Sequence, residues 1–69
     1  MKRERLSSSS VASAGYDLAT HTLELEFLHG GVYQYFLVPE ATYRALLAAP
    51  SAGRFVAEKI KPRHPCRKV

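Results

Sequence analysis

Gly30-Gly31-Val32-Tyr33-Gln34-Tyr35-Phe36-Leu37-Val38-Pro39 decides the fold: two tyrosines at strand spacing stand between a glycine turn and a proline suited to open a helix. Upstream, Thr22 to Leu28 alternates, with Leu23, Leu25 and Phe27 on one side and Glu24 and Glu26 on the other. That period of two gives a strand with one wet and one dry face. The glycines between the runs accept positive φ without a Cβ penalty, so the chain reverses there into a hairpin. Two registers are open. A two-residue loop at Gly30 and Gly31 pairs Phe27 with Gln34 and turns Phe36 and Val38 to the core. A three-residue loop with a glycine bulge pairs Phe27 with Tyr33 and Leu25 with Tyr35, and leaves Gln34 beside Glu26. The second is preferred because it keeps Leu23, Leu25, Phe27, Tyr33, Tyr35 and Leu37 together, whereas the first buries Gln34. It leaves Phe36 partly exposed, and it makes Tyr33 and Tyr35 either buried supports or, through their polar rims, ligand contacts.

Downstream, Pro39 and Glu40 suit a helix start, and Tyr43, Leu46 and Leu47 make its apolar stripe through about Ala48. Pro50 ends that helix. Ser51 caps a second one, in which Ala52, Phe55, Val56 and Ile60 share a face through about Lys59 or Ile60. Gly53 in its first turn costs about 1 kcal/mol against alanine. The backbone there passes close to something, either a packed neighbour or a phosphate at the helix N-terminus. Upstream of the hairpin, Ser9 to Tyr16 reads as a strand ending in a turn at Asp17 to Thr20, where Asp17 can accept from its own downstream amides. Residues 1–8 read as a flexible basic, serine-rich arm, and 9–69 as one domain whose tail, from Pro62, is an extended arm lying over it. The expected class is α+β: a three-stranded antiparallel meander followed by two short helices packed on one face.

The chain has 69 residues, and a core of that size yields only about 3–5 kcal/mol of net stability. A deep pocket for a large cofactor does not fit, and no cofactor is expected. Cys66 has no internal disulfide partner, no apolar run approaches the length of a membrane span, and charge and serine follow Met1 rather than an apolar signal core. A cytoplasmic location without membrane association is the expectation.

The formal net charge of +4 is unevenly spread. Arg54, Lys59, Lys61, Arg63, Arg67 and Lys68 face a single acid, Glu58, at one end, while Lys2, Arg3 and Arg5 face Glu4 at the other. Asp17, Glu24, Glu26 and Glu40 lie between, opposed by Arg44 alone. A cationic flank beside a mildly acidic sheet suits a polyanion such as RNA.

The series Gly15-Tyr16-Asp17, Leu23-x-Leu25-x-Phe27, Gly-Gly-Val-Tyr33-Gln-Tyr35, Val38-Pro39, Tyr43, Leu46-Leu47, Ser51-x-Gly53 and a basic end after Ile60 resembles the KTSC domain family. The likeness spans about residue 7 to the end, with the family's Tyr-x-Tyr on Tyr33 and Tyr35. The family takes its name from the C-terminus of some lysyl-tRNA synthetases and also occurs alone in bacterial proteins. The resemblance therefore implies a bacterial module of unknown biochemical role, with RNA, tRNA-like or single-stranded, as the ligand its context points to. Its pattern often places aromatics where His64 and Cys66 stand here, so any base-stacking they supply is reduced in this chain.

No catalytic arrangement is legible. Ser7 to Ser10, His21, His29, His64 and Asp17 are hydrolase residue types, but no nucleophile elbow surrounds the serines. His64 and Cys66 give a zinc ion half of a tetrahedron. No enzyme and no metal site are expected. Two functions are carried forward. In the first, a noncatalytic module binds nucleic acid through Arg54, Lys59, Lys61, Arg63, Arg67 and Lys68, with Tyr33, Tyr35 or Phe36 as a stacking face. In the second, a protein partner docks on the hairpin face or on the sheet edge formed by Ser9 to Tyr16.

Overall fold

The computed structural model describes residues 2–69, so Met1, part of the expected arm, lies outside the described residues. The chain forms a five-stranded antiparallel sheet in the order β1 (Arg3–Arg5), β2 (Val11–Asp17), β3 (Thr22–Phe27), β4 (Val32–Tyr35) and β5 (Cys66–Lys68), with apolar residues on one face of the three central strands. Between β4 and β5 run α1 (Glu40–Ala48), α2 (Ala52–Phe55) and a π-helical turn, Val56–Ile60, that continues α2. The α+β class and both helical segments match expectation, but the sheet has five strands rather than three.

The extra strands come from the two ends of the sequence. Arg3–Arg5, expected to be flexible, pairs with Gly15, Ala14 and Ser13. Its side chains are all exposed, so hydrophobic periodicity carries no signal for it. The edge assigned to Ser9 to Tyr16 is consequently occupied, and β2 is an interior strand. Cys66–Lys68 pairs with Tyr35, Gln34 and Tyr33 instead of lying over the domain. Pro62 and Pro65 precede the paired residues, so neither removes a donor from the ladder.

In the central hairpin Leu25 faces Tyr33 and Leu23 faces Tyr35, two residues away from the expected pairing. The loop is three residues long, Leu28 to Gly30, closed by Phe27 N–H donating to the Gly31 carbonyl at 3.1 Å. Gly30 and Gly31 take φ of 104° and 92°, conformations that a Cβ would strain. A two-residue shift preserves strand parity, so the side chains of Leu23 to Phe27 and Val32 to Tyr35 keep their expected faces. Leu37, expected on the core face, instead takes φ of 60° and is 73% exposed, and Val38 is buried in its place. Gln34 meets Glu24 instead of Glu26, donating from Nε2 to Oε1 at 3.0 Å.

One sheet face buries Val11, Ala14, Leu23, Leu25, Phe27 and Tyr35 against Leu46, Ala52, Val56 and Ile60. Val38, fully buried in the β4–α1 connection, completes this core, and Tyr43 lies half-buried against it. Pro39 precedes α1 with extended dihedrals, and Ala49 leaves it at ψ 140°, the conformation favoured before Pro50. Ser51 Oγ caps α2 by accepting from Arg54 N–H at 3.3 Å. Gly53 packs against Ser10: a Cβ there would stand 2.1 Å from Ser10 Oγ and 3.3 Å from its Cβ. A packed neighbour, not an open phosphate site, accounts for that glycine.

Candidate nucleic-acid interface

The residues expected to form one basic patch fall into four settings. Lys61 follows the π-helical turn, its N–H donating to the Val56 carbonyl at 2.9 Å. Its ammonium stands 5.5 Å from the centre of the Phe27 ring, an attractive contact with the ring quadrupole. Phe27 and Tyr33 meet edge to face, with ring centres 5.7 Å apart and planes at 74°. Lys68 lies opposite Tyr33 in the β4–β5 ladder, so the two share a face. A Cβ on Gly31 would stand 3.3 Å from Tyr33 and 3.6 Å from the Lys68 stem. Lys61, Lys68 and Tyr33 thus gather at the glycine end of the hairpin.

Lys59 and Arg63 stand on the rim of a separate groove between α1 and the second helical segment. Its volume is about 350 Å³, and Pro39, Ala45 and Phe55 give it an apolar lining. His64, half-buried, closes one end. Phe55 also borders a second depression of about 250 Å³ that contains Arg54 and Glu58. There Arg54 Nε pairs with Glu58 Oε2 at 3.0 Å, which reduces the charge it presents outward.

Arg67 alternates with Lys68 and so lies on the other, helix-free sheet face, opposite Gln34. That face is a paired polar network. Arg3 Nε meets Glu24 at 3.1 Å and its Nη1 meets Glu26 at 3.5 Å, while Ser13 Oγ donates to Glu26 at 3.0 Å. Among the described residues, Lys59, Lys61, Arg63, Arg67 and Lys68 form no ion pair, in contrast to Arg3, Arg44 and Arg54.

The tyrosines have divided roles. Tyr35 is 2% exposed, and burial, reinforced by Cys66 and Tyr33 nearby, pushes its hydroxyl pKa up to about 12. It supports the core and presents no stacking face. Tyr33 is half-buried with part of its surface free. The sequence reading gave no role to Tyr16, whose ring stacks on Tyr43 with centres 5.1 Å apart and whose hydroxyl donates to the Val38 carbonyl at 2.5 Å. Burial raises both of these hydroxyl pKa values as well. His29, considered in the sequence as a hydrolase residue type, stacks its ring parallel to Phe27 at 5.4 Å and 6°. The signal available for it was an aromatic ring two residues beyond Phe27 in a glycine loop.

Among the described residues, no three His, Cys, Asp or Glu side chains gather into a group able to hold a metal ion. No described helix is long and apolar enough to cross a membrane.

A five-stranded antiparallel sheet covered on one face by helices defines a small α+β domain. The chain belongs to the KTSC domain family, whose profile matches residues 7–64. It is similar to the crystal structure of a KTSC domain protein from Yersinia pestis, with a TM-score of 0.95 and 41% identity, over 99% of this chain and 96% of that one. An uncharacterized protein of Stutzerimonas stutzeri is 47% identical over 64 residues, covering 93% of this chain and 90% of that protein. A lysine–tRNA ligase of Nostoc sp. is 40% identical over 53 residues, which are 77% of this chain and 9% of the ligase.

Proposed function

We propose that this domain is a noncatalytic module that binds RNA, with Lys59, Lys61, Arg63 and Lys68 neutralising phosphates. The observation that carries the reading is the segment from Lys59 to Lys68, which holds five cations and no acid, and from which no ion pair is made among the described residues. Unpaired ammonium and guanidinium groups keep their full charge for a ligand, and counterion release from a polyanion then drives association. The similarity to a segment of lysine–tRNA ligases supports RNA as the polymer. Arg54 is assigned a smaller part because Glu58 already holds it, and Arg67 because it faces away from Lys68.

A protein partner on a sheet edge is less favoured. Both edge strands are three residues long and rich in exposed charge, features that discourage strand addition.

The test replaces Lys59, Lys61, Arg63 and Lys68 together with glutamine and measures the affinity for a short single-stranded RNA at low salt. A folded quadruple variant should bind at least about tenfold more weakly, since each cation accounts for one released counterion or slightly less. Undiminished affinity in that variant refutes the assignment.

A further inference from the structure

The hairpin end carries a flat ring held in advance of any ligand. His29 is exposed, yet its imidazole is stacked parallel on Phe27, with ring centres 5.4 Å apart and planes 6° apart. Phe27 is fixed in turn, being only 8% exposed and in edge-to-face contact with Tyr33 at 5.7 Å. At that centre-to-centre distance the two parallel rings are offset, so Phe27 supports only part of the imidazole, and the exposed residue keeps ring surface for a ligand. Beside it, Gly30 has nothing within 4 Å of where a Cβ would sit, so the approach to the loop is open. Lys61 stands over Phe27, and Lys68 lies along Tyr33 on the same side of the sheet. An aromatic platform flanked by two unpaired cations matches the two parts of a nucleotide, a flat base and an anionic phosphate.

We infer that His29 is the base-stacking residue of this domain and that the ligand it takes is an unpaired nucleobase. The inference rests on the RNA reading above and narrows it to single strands, because in a duplex both faces of each base are already covered by neighbours. Stacking on a ring whose position is set by Phe27 spares most of the ordering cost of bringing a free side chain to the base. It is sequence-tolerant, since every base offers a π-face. Tyr33 acts as a positioning residue: its edge-to-face contact holds Phe27, and Phe27 supports His29.

The experiment compares wild type, His29→Ala and His29→Tyr against three ligands of equal length: a single-stranded RNA, an abasic strand with the same phosphates, and an RNA duplex. His29→Ala should weaken single-strand binding by about tenfold, within the range typical of a lost base–aromatic stack. It should leave the abasic strand and the duplex unchanged, and His29→Tyr should restore the loss. If His29→Ala binds the single strand as tightly as wild type does, or weakens base-bearing and abasic strands equally, the stacking role is overturned while RNA binding stands. If the wild-type protein retains none of the three ligands at low salt, the RNA reading fails and this inference fails with it.

Discussion

At the scale of single residues, Tyr35 ties the core to pH. Its side chain lies in the core, and desolvation pushes its hydroxyl pKa up to about 12 from the ordinary value of 10.0. The folded protein therefore keeps this proton where the unfolded chain has lost it. Stability from this group is fully present below about pH 10 and is lost as pH rises through about 12. Urea unfolding between pH 9 and 12 should show a steeper decline for wild type than for Tyr35→Phe. Parallel declines would contradict the desolvation of that hydroxyl. Gly53 offers a second test. Alanine is about 1 kcal/mol better in a helix, but its Cβ would collide with Ser10. Gly53→Ala should stabilise the protein in a Ser10→Gly background and fail to do so in the wild-type background. Equal effects in the two backgrounds would show that Ser10 is not the obstacle.

At the scale of elements, what was legible followed what water excludes. The alternation Leu23, Leu25, Phe27 and the Tyr33, Tyr35 pair placed the paired strand residues on their correct faces, although the pairing lay two residues off and the positive φ at Leu37 reversed the alternation beyond Tyr35. Face is set by burial, whereas register depends on which loop residues accept positive φ. With two adjacent glycines both at positive φ, sequence alone does not distinguish the frames. The two edge strands escaped detection for a related reason. Arg3–Arg5 and Cys66–Lys68 are exposed throughout and three residues long, so main-chain pairing forms them without an apolar period. The helices were legible because Pro39, Pro50 and Ser51 punctuate them, although the widening of the second into a π-helical turn has no local signal. Ending the chain at Pro65 removes β5 and uncovers the β4 edge at Tyr33 and Tyr35. That variant should melt at a lower temperature than the full chain and scatter more light on heating. Unchanged melting would show that β5 adds nothing to the sheet.

At the scale of the whole molecule, the candidate site was half legible. Sequence located the positive charge correctly at the C-terminal side but could not say that strand alternation turns Arg67 away from Lys68, or that Glu58 holds Arg54. Nor could it separate Tyr35, which is buried, from Tyr33, or find His29 on Phe27. These are consequences of register and of pairs formed in three dimensions. The resulting surface has unpaired cations at the hairpin end and on the groove rim, and a neutralised network on the bare sheet face.

The central claim is that this cationic flank binds a phosphate polymer, and the salt dependence of association tests it most directly. For a short single-stranded RNA, the logarithm of the association constant plotted against the logarithm of salt concentration should fall with a slope of about −3, as four phosphate contacts on a single strand require. A slope near zero, or no measurable association at low salt, would contradict it.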